Sequence, residues 1–406
     1  MPYPVRLLFA SHSLPPDGRP LANVGGMQRV AQKLHESLDA KAADTDALDY
    51  ESLLLRSAWR TLHAKVPFFL AKAGWKIGRA AQNDAVDVVL FSSMVTASLA
   101  VPLQGLFRRH GVKTAAIVHG LDVTTPFPPY QWFVPKVFAA LDAVFPVSRA
   151  TQQACLDRGA APNMLRVVPN GIDTDRFQPP QDPASDRQAL EQRVGATPPP
   201  PPPDGLLLCS AGRQVKRKGT AWFVDTVMPR LPDDVHYWIA GDGPQSSAIR
   251  DAIDRLDRSS RVRHLGRIPN DTLADLYRGA DLFIMPNVPV EDDMEGFGIV
   301  LLEAGQCGTP AIAARLEGIQ DVITDGVNGH LVAPEDPNAF AAAIELYRGN
   351  PEALATAAQQ ARQHTETTFG WSAVADTYRS VLHNLHTEGH PEPDAVEASA
   401  GGASSP

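Results

Sequence analysis

Two trains of short apolar runs, one on each side of a proline-rich stretch, constrain this chain more than any other feature. The first train is VRLLFA (5–10), VDVVLFSS (86–93), KTAAIVHG (113–120) and AVFPVS (143–148), and LRVVPNG (165–171) closes it with a turn dipeptide. Helical stretches lie between these runs, beginning with GGMQRVAQKLHESL (25–38). The rhythm restarts at GLLLCSAGR (205–213) and continues through HYWIAGDG (236–243), VRHLGR (262–267), DLFIMPN (281–287) and TPAIAA (309–314). Short, almost wholly apolar strands alternating with helices predict a parallel sheet covered on both faces. Two trains predict two doubly wound α/β domains, and 406 residues exceed what one core of roughly 250 to 300 residues sustains.

Between the trains, six consecutive prolines at 198–203 exclude helix and sheet and favour a stiff polyproline II segment. The chain is therefore read as a first domain over 1–168, a hinge and linker over 169–204 and a second domain over 205–371. FGWSAVADTYRSVLHNL (369–385) has helical spacing, and residues 387–406 lack apolar periodicity and read as disordered.

The net charge of −9 hides an asymmetry, because residues 1–170 hold 18 Lys and Arg against 12 Asp and Glu while the remainder is acidic. An acidic chain without a basic, aromatic-interleaved stripe is a poor nucleic-acid binder. Cys155, Cys209 and Cys307 are widely spaced and follow no metal-binding pattern, which predicts buried thiols in a reducing compartment. The apolar run after MPYP is too short for a signal peptide core or a spanning helix, and no other segment qualifies.

The densest chemistry lies in EDDMEGFGIVLLEAG (291–305). Glu295 precedes Gly296 and Gly298 in a setting that suits a solvated loop, whereas Glu303 closes the apolar run Ile299 to Leu302 and needs a partner. A turn at the glycines lets a helix begin near Phe297 or Gly298, with its free N–H groups placed to receive phosphate. Because that helix follows DLFIMPN, it stands where open α/β sheets bind ligands, and a nucleotide sugar supplies hydroxyls for both carboxylates. On spacing alone, an exposed helix N-terminal glutamate and a buried one paired with an arginine fit equally well. AGRQVKRKGT (211–220) places Arg213 and Lys218 in a glycine-flanked loop, which suits a diphosphate but also suits a solvated basic loop. GDGP (241–244) reads as a turn.

Taken in order, GR-x4-KG at 212–219, GDGP, LGRIPNDTLADLYRGADLFIMPN at 265–287, EGFG-x4-E at 295–303 and DGVNGHLVAPED at 325–336 resemble the donor half of family 4 retaining glycosyltransferases of the GT-B fold. Gly25-Gly26, His119-Gly120 and Asn170-Gly171-Ile172-Asp173 match the family's first loop, strand-end histidine and hinge, so the resemblance covers roughly residues 3 to 385. The DMEGFGIV variant is similar to that of bacterial phosphatidylinositol mannosyltransferase-like enzymes. The resemblance implies two Rossmann-like domains facing a central cleft, with a C-terminal helix at about 372–386 returning to the first domain. It gives Glu295 to the transferred sugar and Glu303 to the ribose hydroxyls. Backbone N–H groups of Gly296, Phe297, Gly298 and Ile299 come near sugar and diphosphate. Arg213 and Lys218 take the diphosphate, and Gly25 and Gly26 let the first domain's backbone approach it. His119 hydrogen-bonds the sugar, and backbone at Arg267, Ile268 and Pro269, after the fourth strand of the donor domain, holds the base.

The implied activity is transfer of a hexosyl unit from a UDP- or GDP-hexose to a lipid, lipid-linked or sugar acceptor, with retention and with domain closure. No cofactor or essential metal is expected. Asp44-Thr45-Asp46 and Asp173-Thr174-Asp175 match a metal-binding pattern but lie in a polar loop and in the hinge. Rival readings are a sugar-nucleotide epimerase, a phosphorylase or a non-catalytic nucleotide-sugar binding module. Residues 52–83 carry six Lys and Arg and no acid. They predict two helices flanking Pro67, with cationic faces at Arg56, Arg60 and His63 and at Lys72, Lys76 and Arg79, and apolar faces at Leu55, Trp59, Leu62 and Val66 and at Leu70, Ala73, Gly74 and Ile77. Helices of that kind lie on an anionic membrane surface or pack on the domain with a solvated basic face. The expected location is the cytoplasm, at the inner face of the cell membrane where the first of these holds.

Overall fold

A computed structural model describes residues 4–16, 26–57, 59–178, 183–195, 205–256, 259–291 and 293–389, together with Pro202 and Pro391. Two compact units result, Met1–Gly171 with Trp371–Pro406, and Ile172–Gly370. Gly25, the proline run apart from Pro202, and the tail beyond Pro391 lie outside the described residues.

The first unit holds a five-stranded parallel sheet of β1 (Val5–Leu14), β2 (Leu48–Arg56), β3 (Val88–Phe91), β4 (Lys113–Val118) and β5 (Ala143–Pro146), in the order β2-β1-β3-β4-β5. β3 and β5 are buried along their whole length, as strands covered on both faces must be. β2 was hidden in the sequence because it is a half-buried edge strand bearing Asp49 and Glu51. Leu55 and Arg56 end this strand and do not begin a helix. One helix, Trp59–Gln82, then runs through Pro67 where two helices were expected. Leu62, Ala73, Ile77 and Ala81 form one buried stripe along it, and this packing outweighs the hydrogen bond that proline forfeits on the exposed side. The LRVVPNG run contributes a single bridge, Val144 to Leu165, and no strand. The helix Trp371–Glu388 belongs to this unit, placing the edge of Tyr378 against Phe145.

The second unit holds six parallel strands, β6 (Leu206–Ala211), β7 (Val235–Ala240), β8 (Val262–Gly266), β9 (Leu282–Met285), β10 (Ala311–Ala314) and β11 (Gly329–Val332). Their order is β11-β10-β9-β6-β7-β8, so the winding direction reverses between β6 and β9. Tyr237, Phe223, Phe340 and Ile284 fill the core on one face of this sheet. Part of the stretch read as linker is an integral helix, Pro183–Val194. Arg187 ties it to Asp281 at 2.6 Å and to the Gly279 carbonyl at 2.8 Å, Arg278 reaches Asp186 at 3.0 Å, and Arg193 reaches Asp275 at 2.8 Å. At its end Arg263 donates to the carbonyls of Val194 and Gly195. Burial on one side alone cannot hold so polar a helix, and these charge-assisted bonds to the 270–281 segment supply the rest.

Candidate functional site

In the second unit the site grows from the carboxyl ends of β6 and β9, the pair at which strand order reverses and where open α/β sheets admit ligands. Beyond β6 the chain turns through residues 212–219. Gln214, fully buried, fixes that turn by donating to the Gly212 carbonyl at 3.1 Å and the Ala240 carbonyl at 3.2 Å while accepting from Thr220 at 2.9 Å. A short 3-10 turn, Lys216–Lys218, leads to Gly219 at φ +63, where a Cβ would stand 1.9 Å from the Pro286 carbonyl oxygen. Only glycine lets this turn press against the chain leaving β9. The Val288 N–H then donates to the Arg217 carbonyl at 2.9 Å, joining the two loops.

This contact brings Lys218 to Glu295, Nζ to Oε2 at 2.6 Å. Arg217 lies between Asp293 at 2.7 Å and Glu295 at 3.5 Å, and the Asn287 amide is 3.4 Å from the same Glu295 oxygen. Glu295 is thus buried, which corrects the solvated loop expected from its acidic and glycine neighbours. Burial, the largest single influence, pushes its carboxyl up, but the charges of Lys218 and Arg217 and hydrogen bonds from Lys218 and Asn287 together hold it below its ordinary value. Asn287 is completely buried beneath the loop, and its amide oxygen has no hydrogen-bond partner among the described residues. Arg217, Gln214 and Asn287 were missed in the sequence: the first looked like one cation in a basic run, and nothing marked the others.

Gly298, at φ +86, caps the helix Ile299–Gln306, whose leading N–H groups have no partner within the helix. Phe297 is buried against the edge of Phe369. Glu303 is also buried, and it accepts from the hydroxyl of Tyr277 at 2.9 Å. Burial, then the Glu303 charge, raise the Tyr277 hydroxyl well above its ordinary value, so it stays a donor. Arg213 stands exposed past the end of β6 and forms no ion pair among the described residues. Arg267, exposed, and Ile268, half-buried, follow β8, the edge strand two places from β6. β8 is the third strand of this unit in chain order and not the fourth.

In the first unit Gly26 opens the helix Gly26–Asp44. His119 follows β4, with Nε2 3.1 Å from the Ser92 carbonyl and its backbone N–H donated to the half-buried Asp122 at 2.8 Å. His12, just before the end of β1, places Nδ1 3.4 Å from the Ser93 hydroxyl, and burial lowers it to about 4, so it is neutral near pH 7. His12 escaped the sequence reading because the first strand was ended at residue 10, and Asp122 because attention stopped at the His119-Gly120 pair before it.

Comparison with known proteins gives two family matches: residues 24–176 match the model of Glycosyltransferase Family 4, and residues 205–350 that of Glycosyl transferases group 1. The chain is 31% identical over 242 residues to D-inositol 3-phosphate glycosyltransferase 2 of Catenulispora acidiphila, covering 56% of this chain and 53% of that protein. It is 33% identical over 274 residues to the D-inositol 3-phosphate glycosyltransferase of Xylanimonas cellulosilytica, covering 65% and 61%. The chain thus spans between about half and two thirds of the length of these curated relatives. Among solved structures, Anabaena HepE in complex with UDP and glucose superposes with a TM-score of 0.67 at 18% identity, covering 94% of this chain and all of that one. Sucrose-phosphate synthase from Thermosynechococcus elongatus gives 0.67 at 21% identity, covering 95% and 100%.

Proposed function

Because the chain belongs to the family 4 glycosyltransferases and has their GT-B fold, we propose that it transfers a hexosyl unit, with retention, from a nucleoside diphosphate sugar to a hydroxylated acceptor. The observation that carries this reading is the Lys218–Glu295 pair at the strand-order reversal. A cation and a carboxylate held 2.6 Å apart complement a diphosphate beside a sugar hydroxyl. When donor enters, Lys218 and the exposed Arg213 turn to the diphosphate, and Glu295 accepts from the sugar. The acceptor oxygen then bonds to the anomeric carbon on the face the diphosphate leaves. The bond from that carbon to the phosphate oxygen breaks, and the departing diphosphate takes the acceptor's proton. Fixed positive groups lower this barrier by stabilising charge that develops on the leaving group. Glu303 is assigned to the ribose hydroxyls and the backbone at Arg267 and Ile268 to the base.

UDP-hexose is the favoured donor, since HepE, which shares the fold, is named with UDP and glucose. The acceptor is a polyol, and a phosphorylated cyclitol is the first to try because the named relatives act on D-inositol 3-phosphate. Incubation with UDP-, GDP- and ADP-hexoses, with and without acceptor, tests the reading. Acceptor-dependent release of diphosphate is expected. An altered nucleotide sugar formed without acceptor would make the protein an epimerase, and stabilisation without turnover would make it a binding module.

A further partner is favoured by one specific observation. On the helix Trp59–Gln82, Phe68 is 80% and Trp75 62% exposed, beside the exposed Lys72, Lys76 and Arg79. Bare aromatics in a basic helix face suit the interface of an anionic membrane, and no helix among the described residues is long and apolar enough to cross one. Peripheral attachment at the inner face of the cell membrane is the reading this supports. Sedimentation with anionic vesicles at low salt should carry the protein down, and both Phe68→Ser with Trp75→Ser and the change of Lys72, Lys76 and Arg79 to glutamate should release it. A wild-type protein that ignores such vesicles would leave a soluble acceptor.

A further inference from the structure

Beyond β10 the chain enters a 3-10 turn, Glu317–Asp321, and its first residue has φ +48. A left-handed backbone is free of cost for glycine and unfavourable for a residue with a Cβ, so such a residue persists where its surroundings or its task hold it. The Glu317 side chain is also in poor electrostatic company. Burial, followed after the opposing Glu295 N–H by the charge of Glu295, raises its carboxyl, and Asp293 adds to this against Arg217. Two costs therefore fall on a single side chain.

Its hydrogen bond shows what those costs sustain. Glu317 accepts from the backbone N–H of Glu295, and the next residue, Gly318, donates its own N–H to the Glu295 carbonyl at 3.1 Å. Both backbone polar groups of Glu295 are thereby gripped by two consecutive residues of another loop. The approach is close enough that a Cβ on Gly318 would meet the Gly296 carbonyl oxygen at 2.3 Å.

We propose that Glu317 is a positioning residue for the transfer reaction: by holding the Glu295 N–H, it fixes the main chain from which the Glu295 carboxylate reaches Lys218 and the sugar. This rests on the reading of Glu295 as the residue that contacts the transferred sugar. Glycine would adopt the same backbone without strain and would leave the Glu295 N–H without its acceptor. Glutamine would keep an acceptor oxygen on a chain of the same length.

The full-length chain with Glu317→Gly should melt at the same or a higher temperature than the wild type. It should lose about 10-fold or more in kcat, since a small misplacement of a reacting group is costly. Its donor KM should stay within about threefold, and hydrogen exchange of the 293–298 segment should quicken. Glu317→Gln should restore kcat to within about threefold of wild type and restore slow exchange. A Glu317→Gly variant with wild-type kcat overturns the proposal, and so does one that loses kcat only in step with its melting temperature. Glu295→Gln in the same assay separates the two claims: if it turns over normally, the sugar-contact reading fails. The exchange measurement judges Glu317 even then, because unchanged exchange in Glu317→Gly refutes the brace whatever the reaction is.

Discussion

Glu295 and Glu303 stand eight residues apart, and their partners divide their work. Glu295 faces the cations Lys218 and Arg217, whereas Glu303 is bound to a tyrosine fixed in the core. Glu295→Gln should lower kcat by about 10²-fold with little change in donor affinity, because its contact strengthens as charge develops. Glu303→Gln should weaken donor binding by about 10-fold, read by calorimetry with UDP and UMP. Equal small losses in both constants for both variants would dissolve the division. The Glu295 carboxyl also makes a pH prediction. A carboxyl held below its ordinary 4.5 stabilises the fold fully above that value, and the contribution is lost as pH falls through the folded-state value. Lys218→Met removes the main cause of the lowering, so acid unfolding followed by circular dichroism should begin at higher pH than in the wild type.

Among the elements, the helix Pro183–Val194 shows how a polar segment becomes part of a domain. Its bonds to Gly279 and Asp281 are charge-assisted and half-buried, and Asp281 also accepts from the Leu207 N–H at 2.6 Å at the start of β6. Arg187→Ala should therefore cost about 2 kcal/mol, visible as a lower urea midpoint with an unchanged slope. A loss of only a few tenths of a kcal/mol would mean the helix rides on the surface. The same segment was read as linker because it lacks an apolar stripe, and a charged strap leaves no hydrophobic period to find. β2 escaped notice for a related reason, since an edge strand with one open face admits Asp49 and Glu51 where a central strand does not. Pro67 misled in the opposite direction, being tolerated on the outer side of a helix whose inner stripe is packed.

For the whole molecule, both units are parallel sheets with one reversal of strand order, and the donor reading assigns the nucleotide to Ile172–Gly370. At 100 times its Kd, UDP should stabilise by ~2.7 kcal/mol, raising the melting temperature by about 5–10 °C for a unit of this size. UMP should do much less, Arg213→Ala should reduce the UDP shift, and EDTA should leave it unchanged. An EDTA-sensitive shift would bring a metal into donor binding.

The alternation of buried strands and helices is local, so the sequence by itself determined two parallel α/β sheets: a strand covered on both faces must be apolar throughout, and that run is visible wherever it occurs. The glycines around Glu295 and the helix after them were legible for the same reason, since backbone conformation is specified within a few residues. Partners were not. Lys218 finds Glu295 across 77 positions, Tyr277 finds Glu303 across 26, and Glu317 reaches the Glu295 N–H across 22. Each meeting depends on strand order, above all on β9 lying beside β6 after two strands have been wound to the other side. No local pattern encodes that reversal, so only the tertiary structure decided that the carboxylate of a glycine-rich loop would be buried against a lysine and braced by a strained glutamate.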